Sequence, residues 1–273
     1  MRNPFVRLPG CFPPGLAVLS LCLAVLLPVR ATAQLPEDLA NQISNPISGL
    51  RYLPFQENGD FNMGATGAYR NTLNVQPVVP FALNERWNLI TRTIMPIVFQ
   101  QEMTPGIGDK FGLGDLTTSG FFSPVKESGP IWGIGPALLL PLATSSLLGG
   151  GKFGFGPTAV LIWQDEKWTF GALANQIWSF TGDSAREDIS SMFLQPTVTR
   201  NMGNGTTVTA NLEATRDWKH DTWNVPLNVI ISKVTMMGVK WVQASGGLRL
   251  YLTGPEGSPD WGFRLGLTFL YPK

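Results

Sequence analysis

His220, the only histidine of the chain, stands between Lys219 and Asp221 and is the first residue to weigh for chemistry. Acyl transfer needs a nucleophile, a base and an acid that orients the base. His220 with a neighbouring acid would suit lipid hydrolysis, but no G-x-S-x-G run marks a nucleophile, and a solvated turn histidine is the plainer reading. The glycine clusters fail as phosphate cradles. Gly106-Ile107-Gly108 runs into Asp109-Lys110-Phe111 and lacks the third glycine of a dinucleotide loop. Gly151-Lys152 is followed by Phe153 rather than Ser or Thr, with Ser146 at the first P-loop glycine position. One histidine is too few for a zinc site, and Cys11 and Cys22 both lie in an export signal. No catalytic residue, metal or cofactor is therefore expected.

Polar side chains spaced two apart offer a different chemistry, that of a lined passage. In 207–218, Val208, Ala210, Leu212, Ala214 and Trp218 share one face, while Thr207, Thr209, Asn211, Glu213, Thr215 and Asp217 share the other. The same sorting recurs in 73–81, 168–180, 223–232 and 242–252. It closes the chain, where Phe263, Leu265, Leu267, Phe269 and Tyr271 alternate with Arg264, Gly266, Thr268 and Leu270. Apolar-out, polar-in strands of about ten residues are the pattern of a membrane barrel. The residues assigned to its lumen are Asn74, Gln76, Asn88, Arg92, Thr209, Asn211, Glu213, Asn224, Asn228, Gln243, Arg249 and Arg264. If Arg92, Arg249 and Arg264 approach Glu213, they either narrow a pore or brace a filled interior. Both readings stay open at this point.

The elements that would position these residues follow from the rest of the chain. Arg2 and Arg7 precede an apolar run, Gly15 to Leu27, and Ala31-Thr32-Ala33 offers a cleavage site, so residues 1–33 read as a secretory signal. The mature chain has no cysteine and carries seventeen basic against nineteen acidic side chains, a formal charge of −2. That balance is not the basic footprint of a nucleic-acid binder. No later stretch has the roughly 18 uncharged apolar residues of a spanning helix, so only a closed barrel takes this chain across a bilayer. Residues 34–47 read as an N-terminal periplasmic segment whose Pro36–Ile43 stretch is a short helix, proline and two acids in its first turn. Residues 48–273 form the barrel, an all-β, antiparallel up-and-down fold of about twelve strands.

Connections read as 57–70, 83–86, 101–112, 124–130, 143–154, 164–167, 182–190, 201–205, 218–222, 236–239 and 253–259, the first eight alternating long and short. Such barrels join strands by short periplasmic turns and longer outer loops. Trp87, Trp163, Trp168, Trp178, Trp218, Trp223 and Trp261 are assigned to aromatic girdles at the two interfaces, the alternative being core rings of a soluble sandwich. One feature resists. Pro77, Pro96, Pro136, Pro157, Pro196 and Pro226 fall inside strand-like runs, yet proline donates no ladder hydrogen bond.

Across nearly all the mature chain the wording resembles the outer-membrane family named for the MetA pathway of phenol degradation, whose members carry the label "transporter". The stretches that carry the likeness include Leu73 to Pro80, Asn84 to Pro96, Trp132 to Pro136, Gly151 to Val160, Trp168 to Trp178, Trp223 to Leu227 and Pro259 to Lys273. The resemblance implies an outer-membrane barrel passing hydrophobic or aromatic compounds, and no catalytic residue. The expected surroundings are outer-membrane lipids of a Gram-negative cell and the barrel-insertion machinery, which would engage the C-terminal strand. The expected role is passive passage of small solutes. The alternatives are a structural barrel plugged by the Pro36–Ile43 helix, a lipid hydrolase, and a soluble β-sandwich.

Overall fold

The computed structural model describes residues 36–126 and 129–272. The export signal assigned to residues 1–33 lies outside them. A strand with one apolar and one polar face must hide its backbone edges, and a sheet closed on itself leaves no edge. Sixteen strand segments do this by forming a closed twelve-stranded antiparallel barrel.

Its strands are β1 (Arg51–Met63), β2 (Ala68–Val75 and Val78–Ala82), β3 (Trp87–Gln100) and β4 (Lys110–Leu113 and Leu116–Pro124). Then come β5 (Ile131–Leu140), β6 (Lys152–Gln164), β7 (Trp168–Gly182) and β8 (Ser190–Gly203). The last four are β9 (Thr206–Leu212 and Ala214–Asp217), β10 (Thr222–Asn224 and Pro226–Met237), β11 (Lys240–Tyr251) and β12 (Trp261–Tyr271). Each pairs with its sequence neighbours, and β1 closes on β12 from Arg51↔Tyr271 to Phe61↔Trp261. The soluble-sandwich alternative falls here, because large apolar side chains such as Phe155, Leu161, Phe180, Ile231 and Leu248 stand exposed around the outer wall.

The prolines find their place in this ladder. Pro77 lies in the break of β2, and Pro226 starts the second segment of β10. Pro96 faces the break of β4, where the register slips by one between Ile97↔Leu113 and Ile94↔Thr117. Pro136 and Pro157 face each other, and the rungs beside them on β4 and β7 are missing. Pro196 pairs with Ala172 on one side and meets the break at Glu213 on the other. Each thus sits at or beside an interrupted rung, where no donor is needed.

One end of the barrel carries the connections 83–86, 125–130, 165–167, 204–205 and 238–239. The other carries 64–67, 101–109, 141–151, 183–189, 218–221 and 252–260. The expected long gap at 57–70 is instead strand up to Met63 and a tight turn. Gln56, Asn58 and Asp60 face inward, and their polarity imitates a loop. At 201–205 the left-handed backbone of Gly203, Asn204 and Gly205 makes the turn very short.

Helix α1 (Pro36–Ile43) fills the short-turn end. Leu39 and Ala40 are fully buried (0% exposed) and join Ile47, Leu50, Ile90, Val160, Val234 and Leu270 in one apolar cluster inside the barrel. Asn41 ties the helix to the wall. Its carbonyl oxygen accepts from Gln164 Nε2 at 2.8 Å, and its Oδ1 accepts from Asn201 Nδ2 at 3.0 Å.

Candidate functional site

Above the floor made by the α1 cluster lies a cavity of about 510 Å³. That is within the ordinary range of small-molecule sites, about 300–1,000 Å³. Its two sides differ in chemistry because the strands that line them differ in sequence. From β1, β2, β3, β9, β11 and β12 come Asn58, Asp60, Arg70, Asn74, Gln76, Arg92, Glu213, Arg249 and Arg264. From β4, β5, β7 and β8 and the loop before β8 come Phe121, Leu139, Leu173, Ile177, Ile189 and Phe193, interspersed with the uncharged polar Thr117, Ser119, Asn175, Ser191 and Gln195. The lumen is amphipathic.

Glu213 organises the polar side. It accepts from Arg264 through both oxygens, each at 2.8 Å, and from Arg249 Nη1 at 3.1 Å. Arg249 also reaches Asp60 at 3.2 Å, Asn228 at 3.0 Å and the Tyr251 hydroxyl at 3.1 Å. Arg264 Nε donates to Asn58 Oδ1 at 2.8 Å. Asn228, fully buried, donates to Asn211 at 2.8 Å. Fork-to-carboxylate pairing of this kind fixes side chains firmly, so the cluster braces one wall across five strands. Arg92 stands apart. Its Nη2 donates to Gln76 Oε1 at 3.0 Å, and it forms no ion pair with Glu213.

Asn74, Gln76, Arg92, Glu213, Arg249 and Arg264 therefore meet in the cavity. Asn211 and Asn228 lie beneath the arginines. Thr209 shares a hydrogen bond of 2.9 Å with Thr199 on β8. Asn88 shares the inward parity of Ile90 and Arg92, opposite Ser123, but lies outside the cavity. Gln243 stands opposite Thr268 and likewise lies outside it. Asn224 Oδ1 is buried without a hydrogen-bond partner. The sequence reading missed Asn58, Asp60 and Arg70, since all three fell within the presumed gap at 57–70. The signal was present: Gln56, Asn58 and Asp60 hold period two against Phe55 and Phe61.

The seven assigned tryptophans are exposed on the outer wall in two tiers. Trp87, Trp163 and Trp168 stand at the short-turn end, and Trp178, Trp218, Trp223 and Trp261 at the loop end. Cations cover several of them: Arg200 lies over Trp168, and Arg216 over both Trp218 and Trp223.

His220 sits in loop 218–221, away from the lumen cluster. Nδ1 lies 2.9 Å from Asp217 Oδ2 and Nε2 lies 3.0 Å from Glu187 Oε2. The hydrogen bond with Asp217, helped by the charges of Asp217 and Glu187, holds its pKa above the usual value. A general base needs a free nitrogen aimed at a hydroxyl. Here both nitrogens face carboxylates, and although Ser190 and Ser191 line the same recess, neither bonds to the ring. The arrangement ties loop 218–221 to loop 183–189. Among the described residues no group of acidic, histidine or cysteine side chains is placed to hold a metal ion.

No protein-family model matches the chain. No curated protein matches it either. Solved structures do. An outer-membrane channel from Pseudomonas putida F1 superposes over 81% of this chain and 94% of its own, at 19% identity and a TM-score of 0.63. The fold is that of an outer-membrane β-barrel. The NanC porin (13% identity, 80% of this chain, 98% of its own, TM-score 0.49) is more loosely similar. So is outer-membrane phospholipase A from Escherichia coli (11% identity, 88% and 99%, TM-score 0.46).

Proposed function

We propose that the protein is an outer-membrane channel through which small hydrophobic or aromatic solutes pass without an energy source. The observation that carries this reading is the lumen: a closed barrel with an apolar outer wall encloses a cavity of about 510 Å³ with one charged side and one uncharged side rich in apolar side chains. An amphipathic lumen suits a solute with both characters. The resemblance to the MetA-named family points to the same solute class, and residues 1–33, read as an export signal, fit delivery to the outer membrane. The short-turn end then faces the periplasm and the loop end faces outward. Outer-membrane lipid contacts the tryptophan tiers, and the barrel-insertion machinery engages β12.

The plugged barrel is the second reading, favoured by the seat of α1, whose Leu39 and Ala40 are wholly enclosed. The two readings join if α1 is the element that restricts a route otherwise present. Entry of small solutes into liposomes holding the refolded mature chain tests the channel. Faster entry of toluene-sized or phenol-sized compounds than into empty liposomes is the expected result. Unchanged entry for every solute tried would remove the channel reading.

A further inference from the structure

Charge in the cavity does not balance. Four guanidiniums line it, those of Arg70, Arg92, Arg249 and Arg264, against the two carboxylates of Asp60 and Glu213. Both carboxylates are committed to other arginines: Glu213 holds Arg264 and Arg249, and Asp60 bonds Arg249, while Arg70, opposite Asp60 in register, forks onto Gln100 Oε1 near the loop end. Arg92 donates only to the neutral Gln76 Oε1, and no carboxylate among the described residues lies within 4.0 Å of it. A partly buried cation without an anion is costly unless water or a ligand answers it. Its planar fork matches a carboxylate more closely than any neutral group.

Apolar surface stands beside it. Arg92 pairs with Ser119 and Ile90 with Phe121, so Phe121 is a diagonal neighbour of Arg92 on the inner face. Leu173 and Phe193 line the same cavity, and all three belong to or pack on the apolar floor. We infer that this corner is a binding site for a small organic acid with an apolar body, its carboxylate on Arg92 and its body against Phe121, Leu173 and Phe193. The inference rests on the lumen being the solute's route and narrows the solute to an anionic amphiphile. A cation would meet a surplus of positive charge, and a neutral compound would leave Arg92 unanswered.

The test is calorimetric binding to the refolded mature barrel in detergent. Benzoate serves as the smallest acid with a rigid apolar body, benzyl alcohol as its neutral counterpart and benzylamine as the cation. Benzoate is expected to bind about tenfold more tightly than benzyl alcohol, as a charge-assisted hydrogen bond allows. Benzylamine is expected not to bind. Arg92→Gln should bring acid and alcohol to within about threefold of each other, while Arg92→Lys keeps part of the preference. Heat-dependent gel migration confirms that each variant is a folded barrel. Equal binding of benzoate and benzyl alcohol to the unmodified barrel, or no binding of either, overturns the site, as does a preference untouched by Arg92→Gln. Because binding in detergent needs no transport, a barrel that binds benzoate but passes no solute keeps the site and loses the channel reading. A barrel that passes solutes without preferring the acid does the reverse.

Discussion

Glu213 shows how one side chain can hold a wall together. It draws Arg249 and Arg264, which lie 36 and 51 residues away in sequence, onto one carboxylate. Removing one partner of a buried ion pair strands the others, a loss of about 3–5 kcal/mol, with cavity water pulling it toward the low end. Glu213→Ala is therefore expected to lower stability by about 3 kcal/mol in denaturant unfolding followed by tryptophan fluorescence. Adding Arg264→Ala should cost less than the sum of the two changes, since the pair acts as a unit. His220 makes a pH-dependent prediction. Its folded pKa lies above 6.5, raised first by the hydrogen bond to Asp217. The link to Glu187 is then fully present below the ordinary value and fades as pH rises through the raised one. An NMR titration of the ring should show a midpoint above 6.5 that falls in Asp217→Asn; a wild-type midpoint at or below 6.5 contradicts the link. Which polar residues faced inward was legible in the sequence, because parity is local. Which of them would touch was not: Asn58 and Arg264 are 206 residues apart, and only closure of β1 on β12 brings them together.

Strands β7, β10, β11 and β12 could be read directly because large apolar residues mark their outer faces. Strand β1 could not, because Glu57, Asn58, Asp60 and Asn62 make its second half as polar as a loop. The prolines looked like objections only while every rung was assumed present. The interruptions they occupy also let neighbouring strands approach closely. At Gly135 on β5 an added Cβ would run into the Gly120 carbonyl oxygen on β4. Gly135→Ala must therefore push β4 and β5 apart, at a cost of about 1–3 kcal/mol for an overpacked contact. The temperature at which the barrel loses its compact gel migration should fall accordingly. An unchanged temperature would mean that the two strands separate freely at this point.

On the scale of the whole molecule, strand number alone does not decide the bore. Barrels of about eight strands are filled by side chains, and those of about sixteen open a water channel. This twelve-stranded barrel does some of each. Its loop-side half encloses a cavity, and its short-turn half is filled by α1 and the apolar residues packed on it. The sequence marked Pro36–Ile43 as a helix and raised it as a plug, but not which wall it packs on, because β8, β9 and β10, the strands it touches, lie far along the chain. In the proposed function the lumen is a route and α1 is the element that restricts it. Conductance across a planar bilayer tests this most directly, comparing the mature chain with one lacking residues 36–43. Small or rare current steps are expected from the intact chain and larger, sustained steps from the shortened one. Equal conductance in the two, or silence from both as folded barrels, would contradict it.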